Sequence, residues 1–161
     1  MILIPKKEKS LEVWPTKWFT VDEFSENSEH KTFIVTPKLI ETLEVLDILR
    51  EEINEPLFIS NACRFSGSTT SQHFFKNYNA ADVWAKNYSS IELMKVVERL
   101  DLGTGRGVYP GHKIVHIDCR RGKSSKEGWV SRWYRLDEKS GEVYYTYNKD
   151  YSGKPYNGLL D

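Results

Sequence analysis

The chain has 161 residues, a length that predicts one domain with short extensions at roughly 150 residues per domain. Its 23 lysines and arginines balance 23 aspartates and glutamates, so the formal net charge is zero. This balance argues against a nucleic-acid-binding protein, because such proteins normally carry a basic excess. Hydrophobic residues make up 39% of the chain and aromatic residues 13%, which is enough for a packed core and excludes an intrinsically disordered protein.

The chain shows no sequence signal for a membrane or for secretion. No run of about 18 apolar residues occurs, so no transmembrane helix is predicted. The short apolar stretch Met1–Pro5 precedes the basic cluster at 6–9, which reverses the order found in a secretory signal. We therefore expect synthesis in the cytoplasm without a signal peptide, which leaves open where the protein acts after release. Cys63 and Cys119 are too few for a disulfide framework, and we expect both to be buried free thiols.

The first predicted elements are a short helix and a long one. Thr20 and Glu23 have the spacing of a capping box and predict a short helix. Residues 29–35 show no period and are predicted to be irregular. The pair Thr36-Pro37 is typical of a helix N-terminus, with threonine as the N-cap and proline in the first turn. Apolar residues at steps of three and four then predict a helix over residues 37–53: Leu39, Ile40, Leu43, Leu46 and Leu49.

The rest of the chain combines short strands with one more helix. Leu57–Ser60 predicts a short buried strand, and the polar residues 60–79 predict a long loop of the kind that is usually functional. A second helix is predicted from Ser89 to about residue 102. Further strands are predicted at Ala80–Trp84, Val108–Tyr109, Lys113–Cys119, Trp129–Leu136 and Val143–Tyr147. Short strands with two main helices predict an α+β domain, in which the helices pack on a small, mostly antiparallel sheet.

The histidines offer one candidate metal site. The chain has four of them, namely His30, His73, His112 and His116. His73 lies in the long loop, whereas His116 and Asp82 lie on predicted strands. Two histidines and a carboxylate form a typical ligand set for catalytic zinc, whose open position holds a water that becomes a usable nucleophile near neutral pH. By spacing alone, a packed structural histidine is the commoner role, so the spacing leaves both interpretations open.

Four short motifs follow one another in an order that is typical of a known family. They are Ser71-Gln72-His73, Ala80-Ala81-Asp82-Val83, Gly107-Val108-Tyr109-Pro110 and Val115-His116-Ile117-Asp118-Cys119-Arg120. With the opening segment Trp18–Phe24 and the turn Ala62-Cys63-Arg64, this order resembles the zinc D-alanyl-D-alanine peptidase family. That family shares its fold with lysostaphin-type enzymes and with the Hedgehog signalling domain. The resemblance covers about residues 18–133 and follows the Val-His-x-Asp branch of the family.

The resemblance implies both a zinc site and a substrate site. The zinc ligands that it implies are His73, Asp82 and His116. Arg64 would hold a carbonyl or carboxylate group of the substrate and stabilise oxyanion charge, with a surface salt bridge as the ordinary alternative. Ser71 and Gln72 would border the substrate and order the metal-binding loop through hydrogen bonds.

Two departures from the family pattern bear on activity. The segment between His73 and Asp82 is longer than usual and lacks the customary glycine, a change that a loop can absorb without moving its ends. Lys113 stands where several branches place a glutamate as the general base. Asp118 is then the first candidate, because alternate residues of a strand project from the same face, and it either acts as the base or orients the ligand histidine. His112 is a further candidate for the proton transfer.

The implied function is that of a zinc-dependent peptidase, either a carboxypeptidase or an endopeptidase. Its expected substrates are the D-amino-acid-containing stem or cross-link peptides of bacterial peptidoglycan. A phage or prophage cell-wall hydrolase, such as an endolysin, is the expected setting. Such a protein acts at the cell wall after release or within a virion, with phage structural proteins as further partners. The alternative is a non-catalytic zinc-fold module that binds the wall or serves in a phage particle.

The predicted domain organisation is one zinc peptidase-like domain between two extensions. The domain spans residues 18–136, after an N-terminal extension of residues 1–17. A C-terminal extension of residues 137–161 is expected to pack on the domain. Its aromatic residues either stack on sugars or pack against one another, and packing is the commoner role for aromatic residues in short strands.

Overall fold

The computed structural model describes residues 2–5, 16–24, 32–120, 130–137 and 143–148. The strands among these residues are β1 (Ile2–Pro5), β2 (Thr32–Val35), β3 (Leu57–Asn61), β4 (Ala80–Ala85), β5 (Gly105–Tyr109), β6 (Ile114–Asp118), β7 (Ser131–Asp137) and β8 (Val143–Asn148). The α-helices are α1 (Pro37–Ile53) and α2 (Ser90–Arg99). Short 3-10 helices occur at Val21–Phe24 and Pro110–His112.

Six of the strands form one sheet in the order β3-β4-β6-β5-β7-β8. Neighbouring strands are antiparallel except β5 and β7, which run parallel. β1 and β2 form a separate antiparallel pair. The predicted α+β class, with two helices and a mostly antiparallel sheet, is therefore confirmed. The predicted strand pair of the tail is present as β7 and β8, so the C-terminal extension contributes a strand to the sheet of the domain.

One face of the six-stranded sheet packs against the two helices. The buried residues of α1 include four leucines with no exposed surface: Leu39, Leu43, Leu46 and Leu49. They share a core with residues of α2 and the sheet, among them Leu93, Met94, Val97, Val83, Val115 and Ile117. Successive residues of a strand point to opposite faces. Asp82, His116 and Asp118 therefore lie on the face of the sheet that is turned away from the helices.

Both α-helices begin at the residues that the sequence predicts, and each has a side-chain cap. Thr36 Oγ1 accepts a hydrogen bond from the Leu39 N–H at 3.0 Å and donates one to the Tyr78 carbonyl oxygen at 2.7 Å. Ser89 and Glu92 form a reciprocal capping box at the start of α2. Thr36 therefore connects the start of α1 to the end of the long loop that precedes β4.

The prediction that residues 29–35 are irregular is wrong for Thr32–Val35. These four residues form β2 and pair with β1, with Ile2 opposite Val35 and Pro5 opposite Thr32. The partner strand lies at the far N-terminus, so the pairing is not visible in the local pattern. β5 is also longer than predicted, because it begins at Gly105 in the segment that reads as a connection. The tail residues Trp129, Tyr151 and Tyr156, and also His30, lie outside the described residues.

We predict that Thr36→Ala lowers the free energy of unfolding by about 1–2 kcal/mol, because it removes both the helix cap and the bond to Tyr78. Thr36→Ser is the matched control, since its hydroxyl can make both bonds. Urea denaturation followed by circular dichroism measures the difference between the variants. An alanine variant as stable as the serine variant would contradict this role.

Candidate metal centre

Three buried side chains from different parts of the chain converge on one point. Asp82 on β4 and His116 on β6 are direct cross-strand partners, and His73 reaches them from the long loop. His116 Nδ1 lies 2.8 Å from Asp82 Oδ1 and 3.0 Å from His73 Nε2. His73 Nε2 lies 3.2 Å from the same Asp82 oxygen. The structure thus brings together the three ligands that the sequence predicts.

The long loop holds His73 in position through hydrogen bonds at both ends of the residue. The Arg64 N–H donates to the His73 carbonyl oxygen at 2.7 Å, and Ser71 Oγ accepts from the His73 N–H at 3.2 Å. Gln72 accepts two hydrogen bonds from Asn79, one at its carbonyl oxygen at 3.1 Å and one at Oε1 at 2.9 Å. Ser71 and Gln72 therefore order the loop. The contact of Arg64, Ser71 and Gln72 with a substrate stays a prediction.

In each histidine ring, one nitrogen points towards the converging atoms and the other points away from them. We call these the inner and the outer nitrogen, and both outer nitrogens donate a hydrogen bond to an acceptor. His73 Nδ1 donates to the Ala62 carbonyl oxygen at 2.7 Å, and His116 Nε2 donates to Asp118 Oδ2 at 2.8 Å. A carbonyl oxygen and an ionised carboxylate can only accept hydrogen bonds, so these outer nitrogens carry the ring protons. When both rings are neutral, their inner nitrogens, His73 Nε2 and His116 Nδ1, therefore carry lone pairs. These two nitrogens and Asp82 Oδ1 are three lone-pair atoms that face one another.

The electrostatics of this centre require a positive charge among the three atoms. Burial raises the pKa of Asp82, but hydrogen bonds with His116 and His73 lower it more, to well below its usual range. Burial lowers the pKa of His116, but hydrogen bonds with Asp118 and Asp82 raise it more, to about 9. A proton on His116 Nδ1 supplies the charge in the metal-free protein. A metal cation fits the same position, because two imidazole nitrogens and a carboxylate oxygen are a typical ligand set for zinc.

Asp118 lies on the outer side of His116 and has 0% of its surface exposed. Its Oδ1 accepts hydrogen bonds from the Arg120 N–H at 2.9 Å and from Arg120 Nε at 2.8 Å, and Arg120 Nη2 contacts Oδ2. Burial raises the pKa of Asp118, but Arg120 and His116 lower it more, to well below its usual range. Asp118 does not face the point where the three lone-pair atoms meet. Its geometry therefore favours orienting His116 over acting as a general base.

Two glycines of β5 leave room for these side chains. A Cβ atom at Gly105 would lie 2.3 Å from both carboxylate oxygens of Asp118. A Cβ atom at Gly107 would lie 2.5 Å from the indole ring of Trp133. The sequence predicts a strand that starts only at Val108, so it places both glycines in the connection before that strand. Their alternate spacing is nevertheless a signal of a strand in which bulky neighbours approach the backbone closely.

Two further residues of the centre carry no clear signal in the sequence. Asn61 Nδ2 donates to the second oxygen of Asp82, Oδ2, at 3.1 Å and fixes the carboxylate. The Trp133 ring packs against the His116 ring with 4.9 Å between centroids, and the Arg120 guanidinium lies over the Trp133 ring at 4.9 Å. Only the pairing of β7 with β5, which places Trp133 beside Gly107, shows which ring Trp133 contacts.

The remaining sequence candidates lie outside the converging group. His112 is exposed in the 3-10 turn before β6 and is not part of the metal-capable group found among the described residues. Cys63 and Cys119 are buried thiols that form no disulfide, as the sequence predicts. Burial raises the pKa of the Cys119 thiol to about 11, which makes it unreactive at neutral pH.

A family model described as Peptidase M15 matches residues 17–118, a span that includes all three converging residues. The chain therefore belongs to the Peptidase M15 family, the zinc D-alanyl-D-alanine peptidase family that the motifs resemble. Membership implies peptidase activity on a peptide substrate and, at the level of the family, dependence on zinc. No curated protein and no solved structure matches the chain. Within the described part of the chain, every helix is too short or too polar to cross a bilayer.

We predict that zinc affinity rises with pH, by about tenfold per pH unit between roughly pH 6.5 and pH 9, because zinc must displace the proton on His116. The pKa of His116 is raised on folding, so the same proton stabilises the metal-free fold below about pH 6.5, and this contribution is lost as the pH rises through 9. Zinc binding measured by competition with a chromophoric chelator at several pH values tests the prediction. His112→Ala is the control and should keep the same slope, whereas a flat dependence in the native chain would contradict the proton exchange.

Proposed function

We propose that the chain is a zinc-dependent peptidase that hydrolyses D-amino-acid-containing stem or cross-link peptides of bacterial peptidoglycan. His73, Asp82 and His116 would hold the zinc ion. The observation that carries this proposal is the set of three facing lone-pair atoms, which need a cation or a proton between them. The outer ring nitrogens of both histidines are already hydrogen-bonded, so the tautomers and ring orientations already suit the ion.

The residues around the centre divide into positioning and substrate-binding roles. Bound zinc would polarise the scissile carbonyl and lower the pKa of a water molecule, which is the chemistry that peptide hydrolysis needs. Asp118 holds the ring of His116 at the correct angle, and Arg120 holds Asp118. Arg64, which is half-buried beside the His73 loop, would bind a carbonyl or carboxylate of the substrate.

The setting that we propose is a phage or prophage cell-wall hydrolase, acting at the wall after release or within a virion. Membership of the Peptidase M15 family supports an action on cell-wall peptides, which such a hydrolase requires. Both a carboxypeptidase and an endopeptidase are compatible with the residues of the centre.

A second candidate function is a non-catalytic zinc-fold module that binds the wall or serves in a phage particle. Lys113 favours this reading, because it is exposed and stands where several family branches place a catalytic glutamate. The geometry of Asp118 also favours the non-catalytic module, because its carboxylate accepts hydrogen bonds from His116 and Arg120 and orients the histidine.

Release of muropeptides from purified peptidoglycan separates the two functions. We expect release by the zinc-loaded protein, none after treatment with a chelator, and recovery on return of zinc. His116→Ala should reduce release to background, because it removes a zinc ligand and its link to Asp118. Ile48→Ala, an exposed substitution on α1, is the control for a general effect of mutation. A protein that retains one zinc ion but releases nothing from any peptidoglycan chemotype would establish the module instead.

We predict that Asp118→Asn weakens zinc binding by roughly 10- to 100-fold, because loss of the negative charge weakens the orientation and basicity of His116. A residue that only transfers a proton would leave zinc affinity unchanged, so affinity is the informative measurement. Thermal melting of the same variant controls for the loss of the Arg120 ion pair.

His112→Ala tests the remaining proton-transfer candidate. Because His112 lies outside the converging group, we expect zinc affinity and hydrolysis to stay close to those of the native chain. A general acid or base typically contributes roughly 100- to 10,000-fold to the rate. A loss of that size with unchanged zinc affinity would assign the proton transfer to His112.

A further inference from the structure

The sheet face that carries the metal centre also carries a row of apolar side chains. Phe58 pairs with Trp84 across β3 and β4, and Tyr109 pairs with Ile114 across β5 and β6. Trp84 is two residues from Asp82, and Ile114 is two residues from His116, so they project from the same face as these ligands. We call Phe58, Trp84, Ile114 and Tyr109 the apolar row. Two residues along a strand span about 7 Å, which places this row one side-chain step from the metal centre.

The apolar row marks the open side of the centre. On the opposite side, the next step along the strands consists of Ala80, Asp118 and Gly105, all of which are buried. In the apolar row, Trp84, Ile114 and Tyr109 are half-buried, and Phe58 is 40% exposed. A substrate that extends along the strands from the metal centre therefore extends over the apolar row.

Phe58 and Trp84 form a preordered aromatic surface at one end of this row. Their rings are stacked, with centroids 4.5 Å apart and an angle of 22° between the planes. A stacked pair loses little side-chain entropy when it binds a ligand, because each ring already restricts the other. The four side chains of the row are uncharged, and the Arg135 guanidinium lies at its other end, 6.0 Å from the Tyr109 ring. The Phe58 end of the row thus suits a flat, uncharged ligand.

We propose that the Phe58–Trp84 pair is a stacking platform for a sugar ring of the glycan strand to which the substrate peptides are attached. This inference rests on the proposed function, because it places the glycan beside the peptide at the metal centre. The C–H groups on one face of a pyranose ring carry a slight positive charge and fit the negative face of an aromatic ring. An apolar peptide side chain is instead normally recognised in a concave pocket, whereas Phe58 stands 40% exposed at the edge strand β3.

Direct binding tests the platform without relying on catalysis. A soluble oligomer of N-acetylglucosamine is titrated into the full-length zinc-loaded protein, and binding is followed by ligand-observed nuclear magnetic resonance. We expect the native chain and Phe58→Tyr to bind the oligomer, and Phe58→Ala to bind it about tenfold more weakly, which is the typical effect of one aromatic stacking contact. Ile48→Ala removes an apolar side chain of similar exposure, 48% against 40% for Phe58, from α1 and should leave binding unchanged. Absence of binding to the native chain would overturn the inference.

Hydrolysis of one peptide in two forms, free and attached to glycan, provides the second measurement. We expect Phe58→Ala to lower kcat/KM about tenfold for the glycan-attached peptide and to leave the free peptide unchanged. Equal losses on both forms would overturn the inference, because Phe58 would then contact the peptide itself. A native chain that hydrolyses neither form but binds the oligomer through Phe58 would refute the proposed peptidase and still support the sugar platform.

Discussion

The direct pairing of Asp82 with His116 across β4 and β6 is the constraint on which the rest of the centre depends. A slip of one residue by either strand would turn the ligand of that strand towards the helices and bring its core residues to the open face. The neighbouring residues prevent such a slip, because Val83, Val115 and Ile117 have no exposed surface and belong to the core. The hydrophobic packing of one sheet face therefore positions the polar chemistry of the other. Only His73 is added from outside the sheet, and the hydrogen bonds of its loop fix it separately.

The same centre buries two negatively charged carboxylates, which need positive charge nearby. Asp82 and Asp118 are both buried carboxylates on either side of the His116 ring, with the Arg120 guanidinium beyond Asp118. One arginine cannot balance two carboxylates, so a second positive charge belongs between Asp82 and the histidines. A proton on His116 or a metal cation meets this need, and the two compete for the same position. This competition makes the affinity of the position for a metal cation depend on pH.

The parts of the fold that the sequence predicts well are those that depend on neighbours in the chain. Thr36 and Ser89 mark the helix starts by local capping chemistry, and the order of the His73, Asp82 and His116 motifs predicts the converging group. The parts that escape prediction depend on which strands meet. β2 needs a partner at the far N-terminus, and Trp133 reaches His116 only because β7 pairs in parallel with β5. The need for glycine at positions 105 and 107 also escapes prediction. It arises because Asp118 and Trp133 lie against these positions, and the pairing of the strands decides that contact.

The zero net charge of the chain bears on how the protein could bind a bacterial cell wall. Bacterial cell walls are polyanionic, so a protein without a positive excess gains no long-range attraction to them. Binding to the peptidoglycan substrate that we propose would then rely on short-range contacts. The metal centre is closed at its Asp118 side and opens towards uncharged aromatic and aliphatic side chains, which supply contacts of that kind. Binding at the platform that we propose would depend little on ionic strength, because stacking and burial of apolar area do not rely on charge.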